Sequence, residues 1–549
     1  MALSALWGKL YQKLLFFLLS RALFMSAPTE FRILCYKFYL SPQIRESRIP
    51  WLYQSIIAIV CCVLIIIGSG LPTRANETLR VATEPTFPPF EMRDKDGNLV
   101  GFDIDIMNAL GEEAGFNIEW VTLPFDGIVP ALQVGQVDAA ISGMTITPER
   151  AQTVAFSRPY FKSGLAIAVR EGNEDINSFE DLEGKRIAVQ IGTTGAIQSA
   201  TIPGAIVSNF DSSVFALQEL VNGNVDAVVN DAPVTLFAIK ETNLQGIKIA
   251  GEFVTEEYYG IAFPFNSPNV ERINQAIETL ITNGRYQEIY EAWFGVAPPT
   301  LPEVAPTLLN ADTQVTNNLD WGRLLPNFLI GALVTLQITA VATFVGMIGG
   351  VIIAVIRKSK IKILRMLAKW YVDFFRGTPL LVQLFMIYFG LPALLQGIGL
   401  NLTLGRFPAA IAALGMNAAA YLSEIIRGGI DSVDPGQSEA AECLGMNPTQ
   451  AMSYVIFPQA FRRMIPPLGN EFITLLKDTS LVAVIGYEEL FRRGQLAVAV
   501  TFRAFEIYAA IALIYLILNL LSSRFFSFLE VWMDPVKKAK KAAAKQQTA

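Results

Sequence analysis

The sequence contains no histidine, and it has only four cysteines among 549 residues. Histidine is the commonest general base, a usual zinc ligand and the side chain that titrates near neutral pH. Its absence excludes serine–histidine and cysteine–histidine catalysis. The sequence also lacks a GxxxxGK[ST] phosphate loop, the motif of one large class of nucleotide-hydrolysing proteins. We therefore expect this chain to be no enzyme and to hydrolyse no ATP by itself.

The cysteines show no spacing that would suit a metal site, and we interpret them as small hydrophobic side chains. They are Cys35, Cys61, Cys62 and Cys443. The sequence therefore predicts no metal and no other cofactor in this chain.

Charge is divided unevenly along the chain. Residues 76–320 hold 13 lysines and arginines against 34 aspartates and glutamates, whereas the rest of the chain holds 30 basic and 15 acidic residues. An acidic region joined to a basic, apolar one predicts two parts that face different compartments.

Long apolar runs predict membrane spans on both sides of the acidic region. Residues 51–71 predict either a retained transmembrane anchor or a cleaved signal, and residues 1–50 before them would be cytoplasmic. Five more candidate spans are 326–354, 370–395, 407–429, 462–487 and 505–528. By the positive-inside rule, the basic loop and tail lie in the cytoplasm and residues 76–320 lie outside. Arg492 and Arg493 fall on the outer side, which the rule leaves unexplained.

Between the first apolar run and the later ones, β-branched runs alternate with amphipathic stretches. This alternation predicts an α/β domain. A proline-rich, polar stretch that follows predicts a semi-extended tether. The predicted units are an outer domain at 76–296, a linker at 297–322, a membrane domain at 323–530 and a basic tail at 531–549.

Five stretches of the outer domain closely resemble the polar amino-acid binding proteins of bacterial importers. They are VATEPTFPPFE (81–91), PFDGIVPALQVGQVDAAISGMTITPER (124–150), FSRPYFKSG (156–164), IGTTG (191–195) and VNDAP (229–233). The resemblance implies two lobes joined by crossing segments near 164–170 and 256–265. The ligand would lie in the cleft, and the lobes would close over it.

The resemblance also implies which residues hold the ligand. It assigns the α-carboxylate of an amino acid to Arg150, assisted by Thr145 and Thr194, and the α-ammonium to Asp231 of the other lobe. This suits the chemistry, because an arginine can bind a carboxylate through two parallel hydrogen bonds, which a lysine cannot copy. One ligand bridging Arg150 and Asp231 would favour closure of the lobes.

Selection of the ligand's side chain falls to Glu84, Phe87, Phe125 and Gln190, and Gly143 completes the predicted set. The two phenylalanines match the family's aromatic sandwich, which suits a flat guanidinium or amide group. Glu84 suits a basic or amide side chain. Arginine, lysine and glutamine therefore fit, histidine is a further candidate, and glutamate is disfavoured by like charge.

Later stretches closely resemble the membrane subunits of ATP-driven amino-acid importers. They are FRGTPLLVQLFMIYFGLP (375–392), NAAAYLSEIIRGGIDSVDPGQSEAA (417–441) and NEFITLLKDTSLVAVIG (470–486). The family's signature matches at Glu439, Ala440, Ala441, Gly445 and Pro458. The resemblance implies a short cytoplasmic helix that docks on a separate ATP-hydrolysing subunit. The alternative is an ordinary amphipathic inner loop.

An acid within a predicted span, Glu424, is a candidate contact on the path of a cationic amino acid, since charges inside a membrane are costly. The alternative is that Glu424 pairs with Arg427 near the inner interface.

The predicted fold class is a bilobal α/β periplasmic-binding-protein domain followed by an all-α membrane domain of the type I ABC importer permease class, with about five helices, and preceded by an N-terminal anchor or signal. The predicted function is a receptor–permease fusion in the bacterial plasma (inner) membrane, multi-pass in lipid. It would act as a homodimer with two copies of a separate ATP-binding subunit, which would hold ATP and magnesium, and it would bind no nucleic acid.

The alternatives are an amino-acid-gated channel or a sensor with the same ligand domain. Such channels insert their pore between the two lobes, whereas here the lobes end before the spans begin, and no output domain follows. An enzyme on this fold is disfavoured because the cleft motifs match binding proteins.

Overall fold

The computed structural model describes residues 77–241, 246–252, 254–309, 319–400 and 404–533. The predicted segment 1–50, the anchor or signal at 51–71 and the tail beyond residue 533 lie outside the described residues.

The chain first builds most of one α/β lobe, called lobe 1. Its elements are β1 Glu77–Thr83, β2 Met92–Arg93, β3 Leu99–Val100, α1 Phe102–Ala114, β4 Phe116–Thr122, α2 Phe125–Gln133, β5 Ala139–Ala140, α3 Pro148–Ala151, β6 Ala155–Phe156 and β7 Phe161–Ser163. After crossing to a second lobe and returning, the chain completes lobe 1, as described below.

Lobe 2 is built from one continuous stretch. Its elements are β8 Leu165–Arg170, β9 Arg186–Gln190, α4 Thr194–Ser199, β10 Ile206–Phe210, α5 Ser213–Val221, β11 Ala227–Asp231, α6 Ala232–Glu241 and β12 Ile247–Ala250, with a 3-10 turn at Glu180–Leu182. The strands form one sheet in the order β10-β9-β11-β8-β12. Strands β10, β9 and β11 are parallel, and β8 runs antiparallel to both of its neighbours.

The returning chain adds β13 Glu257–Tyr259, β14 Ala262–Phe263, α7 Asn269–Thr282 and α8 Arg285–Phe294. Strand β14 completes the lobe 1 sheet, whose order is β4-β1-β5-β14-β6. Each sheet buries apolar side chains against helices, and lobe 1 has an aromatic cluster that includes Phe90, Phe102 and Phe161. The predicted α/β class is therefore observed in both lobes.

Two crossing segments join the lobes as an antiparallel pair, β7 with β13. The second lies within the expected region 256–265. The first lies at 161–163, before the expected 164–170, because Leu165–Arg170 is a buried strand paired on both sides inside the lobe 2 sheet. The expectation for the first crossing was therefore a few residues too late.

The first part of the linker packs back onto lobe 1. Helix α9 (Pro306–Leu309) follows the buried Ala305, which clusters with Ile146 and Tyr258. Thr307 Oγ1 donates a hydrogen bond of 3.0 Å to the carbonyl of Ile146. This part of the expected tether is therefore fixed to the ligand domain.

The membrane domain is entirely helical in its described residues. Its helices are α10 Trp321–Arg357, α11 Lys362–Gly377, α12 Leu380–Phe385, α13 Leu391–Gly397, α14 Arg406–Asp431, α15 Pro435–Cys443, α16 Pro448–Gln450, α17 Phe457–Asp478, α18 Leu490–Thr501 and α19 Ala504–Met533. π-helical turns lie at Met386–Gly390 and Ala451–Ile456, and a 3-10 turn lies at Thr479–Ile485.

Three of the described helices, α10, α14 and α19, are long and apolar enough to cross a membrane. A fourth span results if the bent pair of Lys362–Gly377 and Leu380–Leu395, which meet at 111°, counts as one. The bend lies at Pro379, since a residue before proline is driven out of the helical conformation. The expected span 462–487 is instead formed by α17 and a 3-10 turn. This segment contains too many charged residues to count as a helix apolar enough to cross a membrane.

Small residues bring α10 and α14 into close contact. A side chain added at Gly346 would place its Cβ 2.8 Å from the Cβ of Ala418, and one at Gly350 would meet the Cβ of Leu422 at 2.9 Å. Closely spaced small residues let membrane helices approach each other without a clash. The two helices therefore pack closely against each other at these glycines.

Candidate functional site

The cleft between the two lobes is closed around a small cavity. The carboxamide Nε2 of Gln190 in lobe 2 donates a hydrogen bond of 2.7 Å to Glu84 Oε2 in lobe 1. The cavity is lined by Phe87, Phe125, Ser142, Gly143, Thr145, Arg150, Gln190, Thr193, Thr194 and Asp231. Eight of the nine residues predicted to bind ligand thus line one cavity. The ninth, Glu84, is hydrogen-bonded to Gln190 of the cavity wall.

Arg150 lies on the short helix α3, which begins at a threonine cap. Thr147 Oγ1 accepts from the backbone N–H of Arg150, and Pro148 occupies the first turn, where its missing N–H needs no partner. The buried guanidinium donates to two carbonyls, Thr145 O at 2.7 Å and Gly192 O at 2.8 Å. Because Gly192 belongs to lobe 2, Arg150 also helps to close the cleft.

No salt bridge neutralises Arg150 among the described residues. Its guanidinium carbon lies 5.3 Å from the centre of the Phe125 ring, an arrangement that favours a cation. Burial lowers the pKa of Arg150 to about 10, while the charges of Glu257 and Asp231 act to raise it. The side chain therefore stays positive at neutral pH and faces the cavity with charge available for an anion.

Asp231 ends strand β11 on the lobe 2 side of the cavity. Its carboxylate accepts from the hydroxyl of Tyr259 and, at 3.4 Å, from Ser163 Oγ. Both donors belong to the crossing strands. Burial raises the pKa of Asp231 to about 7. A cation placed beside Asp231 would favour its ionised form.

Glu257, at the start of β13, is part of the site although its sequence gave no sign of this. Its Oε2 accepts from Thr145 Oγ1 at 2.7 Å and from Thr194 Oγ1 at 2.9 Å. A hydroxyl has one proton to donate. The two threonines, expected to assist a ligand carboxylate, therefore direct that proton to Glu257 here. The neighbouring Glu256 instead pairs with Lys162 at the surface, and only the fold separates the two acids.

Glu84 follows β1 and is buried. Its carboxylate accepts from the Thr86 hydroxyl as well as from Gln190. Burial raises the pKa of Glu84 to about 7, and these two donors act against that shift. A cationic or amide group that entered the cavity would lie beside the Glu84 carboxylate. Because its pKa is raised, this carboxylate is protonated more readily than an exposed one.

Gly143 has a positive φ of 51°, and a Cβ at this position would lie 2.7 Å from Phe87 Cε1. Its N–H donates to Asp103 Oδ2 at 2.8 Å. Glycine is therefore needed here, because any side chain would displace the Phe87 ring from the cavity wall.

The segment with the family signature forms an exposed helix and turn. Glu439 and Ala440 are exposed on α15, whereas Ala441 is buried, and Gly445 adopts a left-handed φ of 78°. Pro458 lies in the first turn of α17, where proline is tolerated, rather than after the end of a helix. Beyond the turn, Leu444 is 78% exposed, so the segment presents apolar as well as acidic side chains.

Glu424 lies near the end of α14, between two arginines. Arg357 donates to Glu424 Oε1, and Arg427 donates to Glu424 Oε2 at 2.9 and 2.7 Å. The structure thus places Glu424 in the ion pair that was the alternative to a role in ligand passage, with Arg357 as a second partner.

Two family models match the chain. Bacterial extracellular solute-binding proteins, family 3, match residues 79–296, and Binding-protein-dependent transport system inner membrane component matches residues 346–534.

Individual relatives resemble either the membrane domain or the ligand domain. The chain is 44% identical over 210 residues to Probable amino-acid permease protein YxeN of Bacillus subtilis, covering 38% of this chain and 92% of that relative. It is 39% identical over 207 residues to Glutamine transport system permease protein GlnP of Escherichia coli, covering 37% and 93%. It is 35% identical over 236 residues to L-arginine-binding protein of Pseudomonas aeruginosa, covering 41% and 91%.

Proposed function

Because this chain belongs to both of these families, and is a fused binding protein and permease of an amino-acid ABC transporter, we propose that it captures a basic amino acid or glutamine outside the cell and passes it inward. The observation that carries the proposal is the cleft itself. An arginine without a carboxylate partner among the described residues and a buried aspartate face one cavity from opposite lobes.

The cavity suits the two charged ends of an amino acid. Arg150 would bind the α-carboxylate through its guanidinium, and Asp231 would bind the α-ammonium. Since the two residues lie on different lobes, a ligand that contacts both would stabilise the closed form. Tyr259 and Ser163 would hold the Asp231 carboxylate towards the ligand from the crossing strands.

The opposite wall suits a flat, polar side chain. A guanidinium or a primary amide would stack against Phe87 and Phe125 and donate to Glu84. Its N–H groups could also donate to Gln190 Oε1, which has no hydrogen-bond partner among the described residues. A glutamate side chain would have no donor for Glu84. The names of the relatives, which mention arginine and glutamine, support the same two ligand classes.

Helix α10 supports the proposed orientation in the membrane. Its 37 residues span about 55 Å. Near its start, Gly331 packs against Leu490 of the helix that contacts the ligand domain, and at its end Arg357 pairs with Glu424. The exposed signature segment follows α14 at that second end. We therefore assign the ligand domain to the outside and this segment to the cytoplasm of a bacterial plasma membrane.

The remaining parts of the transporter would come from other chains. Two copies of this chain would pair to form the passage, and each would dock a separate ATP-binding subunit on Glu439, Ala440 and the exposed turn after them. ATP and magnesium would bind to that subunit. The purified chain is expected to show no ATP hydrolysis, and turnover without an added ATPase partner would contradict this assignment.

The amino-acid-gated channel receives no support from the topology. Both lobes are complete at Phe294, before the first described membrane helix begins at Trp321. Among the described residues, no membrane helix is therefore inserted between the lobes.

Calorimetry on the full chain in lipid nanodiscs tests the ligand assignment. L-arginine, L-lysine, L-histidine, L-glutamine and L-glutamate would be titrated separately. We expect a basic amino acid or glutamine to bind, with glutamate at least about tenfold weaker, because the Glu84 carboxylate repels a second carboxylate. Binding of glutamate as tight as that of every other amino acid would contradict the assignment.

A further inference from the structure

Two buried acids lie beneath the lobe 1 wall of the ligand cavity, and the predicted site did not include them. Glu91 precedes β2, Asp103 lies in the first turn of α1, and both side chains are 0% exposed. The backbone brings them together, because the N–H of Asp103 donates to the carbonyl of Phe90 at 2.9 Å. Neither acid forms a salt bridge among the described residues. Two buried carboxylates without a cation would repel each other strongly.

Each acid has one oxygen that accepts hydrogen bonds and one oxygen that accepts none. Glu91 Oε1 accepts from Ser142 Oγ at 2.7 Å. Asp103 Oδ2 accepts from the N–H of Gly143 at 2.8 Å and from the hydroxyl of Tyr160 at 2.7 Å. Glu91 Oε2 and Asp103 Oδ1 are buried without a hydrogen-bond partner in the described part of the chain. Buried polar atoms of this kind are rare and costly, so the pair lacks a donor.

One proton shared by the two acids supplies that donor. A proton on Glu91 Oε2 can be donated to Asp103 Oδ1, so that all four oxygens take part in hydrogen bonds. Burial, the charge of Asp103 and the charge of Glu84 all raise the pKa of Glu91 well above its usual value. The N–H of Gly143 and the hydroxyl of Tyr160 act to lower the pKa of Asp103. Glu91 is therefore the acid that holds the proton, and Asp103 is the ionised one.

The pair holds three residues of the predicted ligand site in place. Ser142 Oγ, which donates to Glu91, accepts from the backbone N–H of Glu84 at 3.1 Å. The backbone of Glu91 bonds to that of Phe87 in both directions, at 3.0 and 3.2 Å. Gly143, which donates to the second acid, lies against the Phe87 ring. The wall that faces the ligand's side chain is thus attached to the two acids at several points.

We propose that Glu91 and Asp103 bind one proton between them, and that this proton fixes the lobe 1 wall of the ligand cavity. The two acids are positioning residues, because neither lines the cavity. Without the proton, two carboxylates would lie side by side, and their repulsion would displace Ser142 and Gly143. The positioning role rests on the proposed function, in which the cavity holds an amino acid.

Infrared difference spectroscopy of the full chain in nanodiscs tests for the proton, since a carboxylic acid has a carbonyl band that a carboxylate lacks. The spectra would be recorded at about pH 8, above the pKa of about 7 of Glu84 and Asp231. Glu91→Gln is expected to lose one such band, because the amide N–H takes the place of the proton. Asp103→Asn is expected to lose the same band, because its amide would donate to an ionised Glu91. Glu113→Gln, at an exposed acid of α1, is the control and should keep the band.

Calorimetry with L-arginine and with L-glutamine tests the positioning role. Glu91→Ala is expected to weaken binding of both at least about tenfold, because the wall loses a hydrogen-bonded support. Glu91→Gln removes the same carboxyl but keeps a donor and an acceptor, so its affinity should stay within about twofold of the wild type. This rescue by glutamine separates positioning from loss of the acid itself. Asp103→Asn should behave as Glu91→Gln does.

The band and the two amide variants decide the proposal even if Glu91→Ala does not fold. Loss of the band in both amide variants, with affinity retained, is the expected result. An unchanged band in either amide variant would overturn the shared proton. A tenfold loss of affinity in Glu91→Gln or Asp103→Asn would overturn the positioning role, and the ligand assignment would stand. Absence of binding by the unaltered chain to both amino acids would instead overturn the proposed ligand together with the positioning role, and the shared proton would still be decided by the band.

Discussion

Two clusters of charge in this molecule, one in the cleft and one at the end of α14, differ in how they are neutralised. In the cleft, Arg150 donates only to carbonyls and meets no carboxylate partner among the described residues. At the end of α14, Glu424 lies between Arg357 and Arg427 and is paired on both of its oxygens. An arginine without a salt-bridge partner can bind a ligand carboxylate directly, whereas a charge that is already paired has little left to offer.

The largest expected effect is at the unpaired charge. Arg150→Lys should weaken binding of L-arginine and L-glutamine about 100-fold, because a lysine cannot make two parallel hydrogen bonds to a carboxylate. Calorimetry on the full chain measures the loss. Arg80→Lys is the control, since Arg80 pairs with Asp138 near the surface. Equal affinities in the two variants would show that Arg150 does not bind the ligand.

A smaller, selective effect is expected from Glu84→Gln. Removing the charge should weaken binding of L-arginine and L-lysine about 10-fold, because a hydrogen bond to a charged group contributes roughly 1.5–3 kcal/mol. L-glutamine, which carries no side-chain charge, should lose less. Competition between labelled glutamine and unlabelled arginine measures both. If arginine and lysine kept their full affinity, the account of selectivity would fail.

The pH dependence follows from the same carboxylates. Burial raises the pKa of both Glu84 and Asp231 to about 7, so below that pH a cationic ligand must displace protons. Affinity for L-arginine should fall as pH decreases from 8 to 6, by at most about tenfold per pH unit for each proton. L-glutamine should show a weaker dependence, since its side chain does not need an ionised Glu84.

Stability of the ligand-free chain should change in the opposite direction. A carboxyl with a raised pKa in the folded state binds more protons than in the unfolded state, so its contribution to stability is lost as pH rises from about 4 to 7. Thermal unfolding with and without L-arginine over this range measures both slopes. The same slope with and without ligand would contradict this assignment of protons.

The smallest effect on binding is expected from the paired cluster. Glu424→Gln should leave ligand affinity unchanged and lower the free energy of unfolding by at most about 1 kcal/mol, because Glu424 is only partly buried and its partner Arg427 is exposed. Uptake of arginine and of glutamine should fall equally in a reconstituted transporter. A selective loss of arginine uptake would restore Glu424 as a contact for cations on the passage.

The sequence predicted the cleft well because its motifs carry local structure with them. Thr145 and Arg150 are only five residues apart, and a threonine cap and a proline fix the helix on which Arg150 lies. The α/β class follows from the alternation of strands and helices, whereas the two lobes were implied by the resemblance to amino-acid binding proteins. The roles of these residues as ligand contacts stay predictions until a ligand is measured.

What the sequence could not show depends on contacts between distant segments. Glu256 and Glu257 are neighbours of the same type, yet the first lies at the surface and the second bonds to Thr145 and Thr194. Arg492 conflicted with the charge pattern of the spans until the fold placed Asp211 beside it, 281 residues earlier in the chain. Charge partners of this kind are set by tertiary structure alone.

The most direct test of the central claim is calorimetry of the full chain in nanodiscs with L-arginine and with agmatine, which keeps the guanidinium but lacks the α-carboxylate. If Arg150 holds that carboxylate, L-arginine should bind at least about 100-fold more tightly than agmatine, in line with the loss of a bidentate ion pair. Equal affinity for the two compounds would contradict the proposed site.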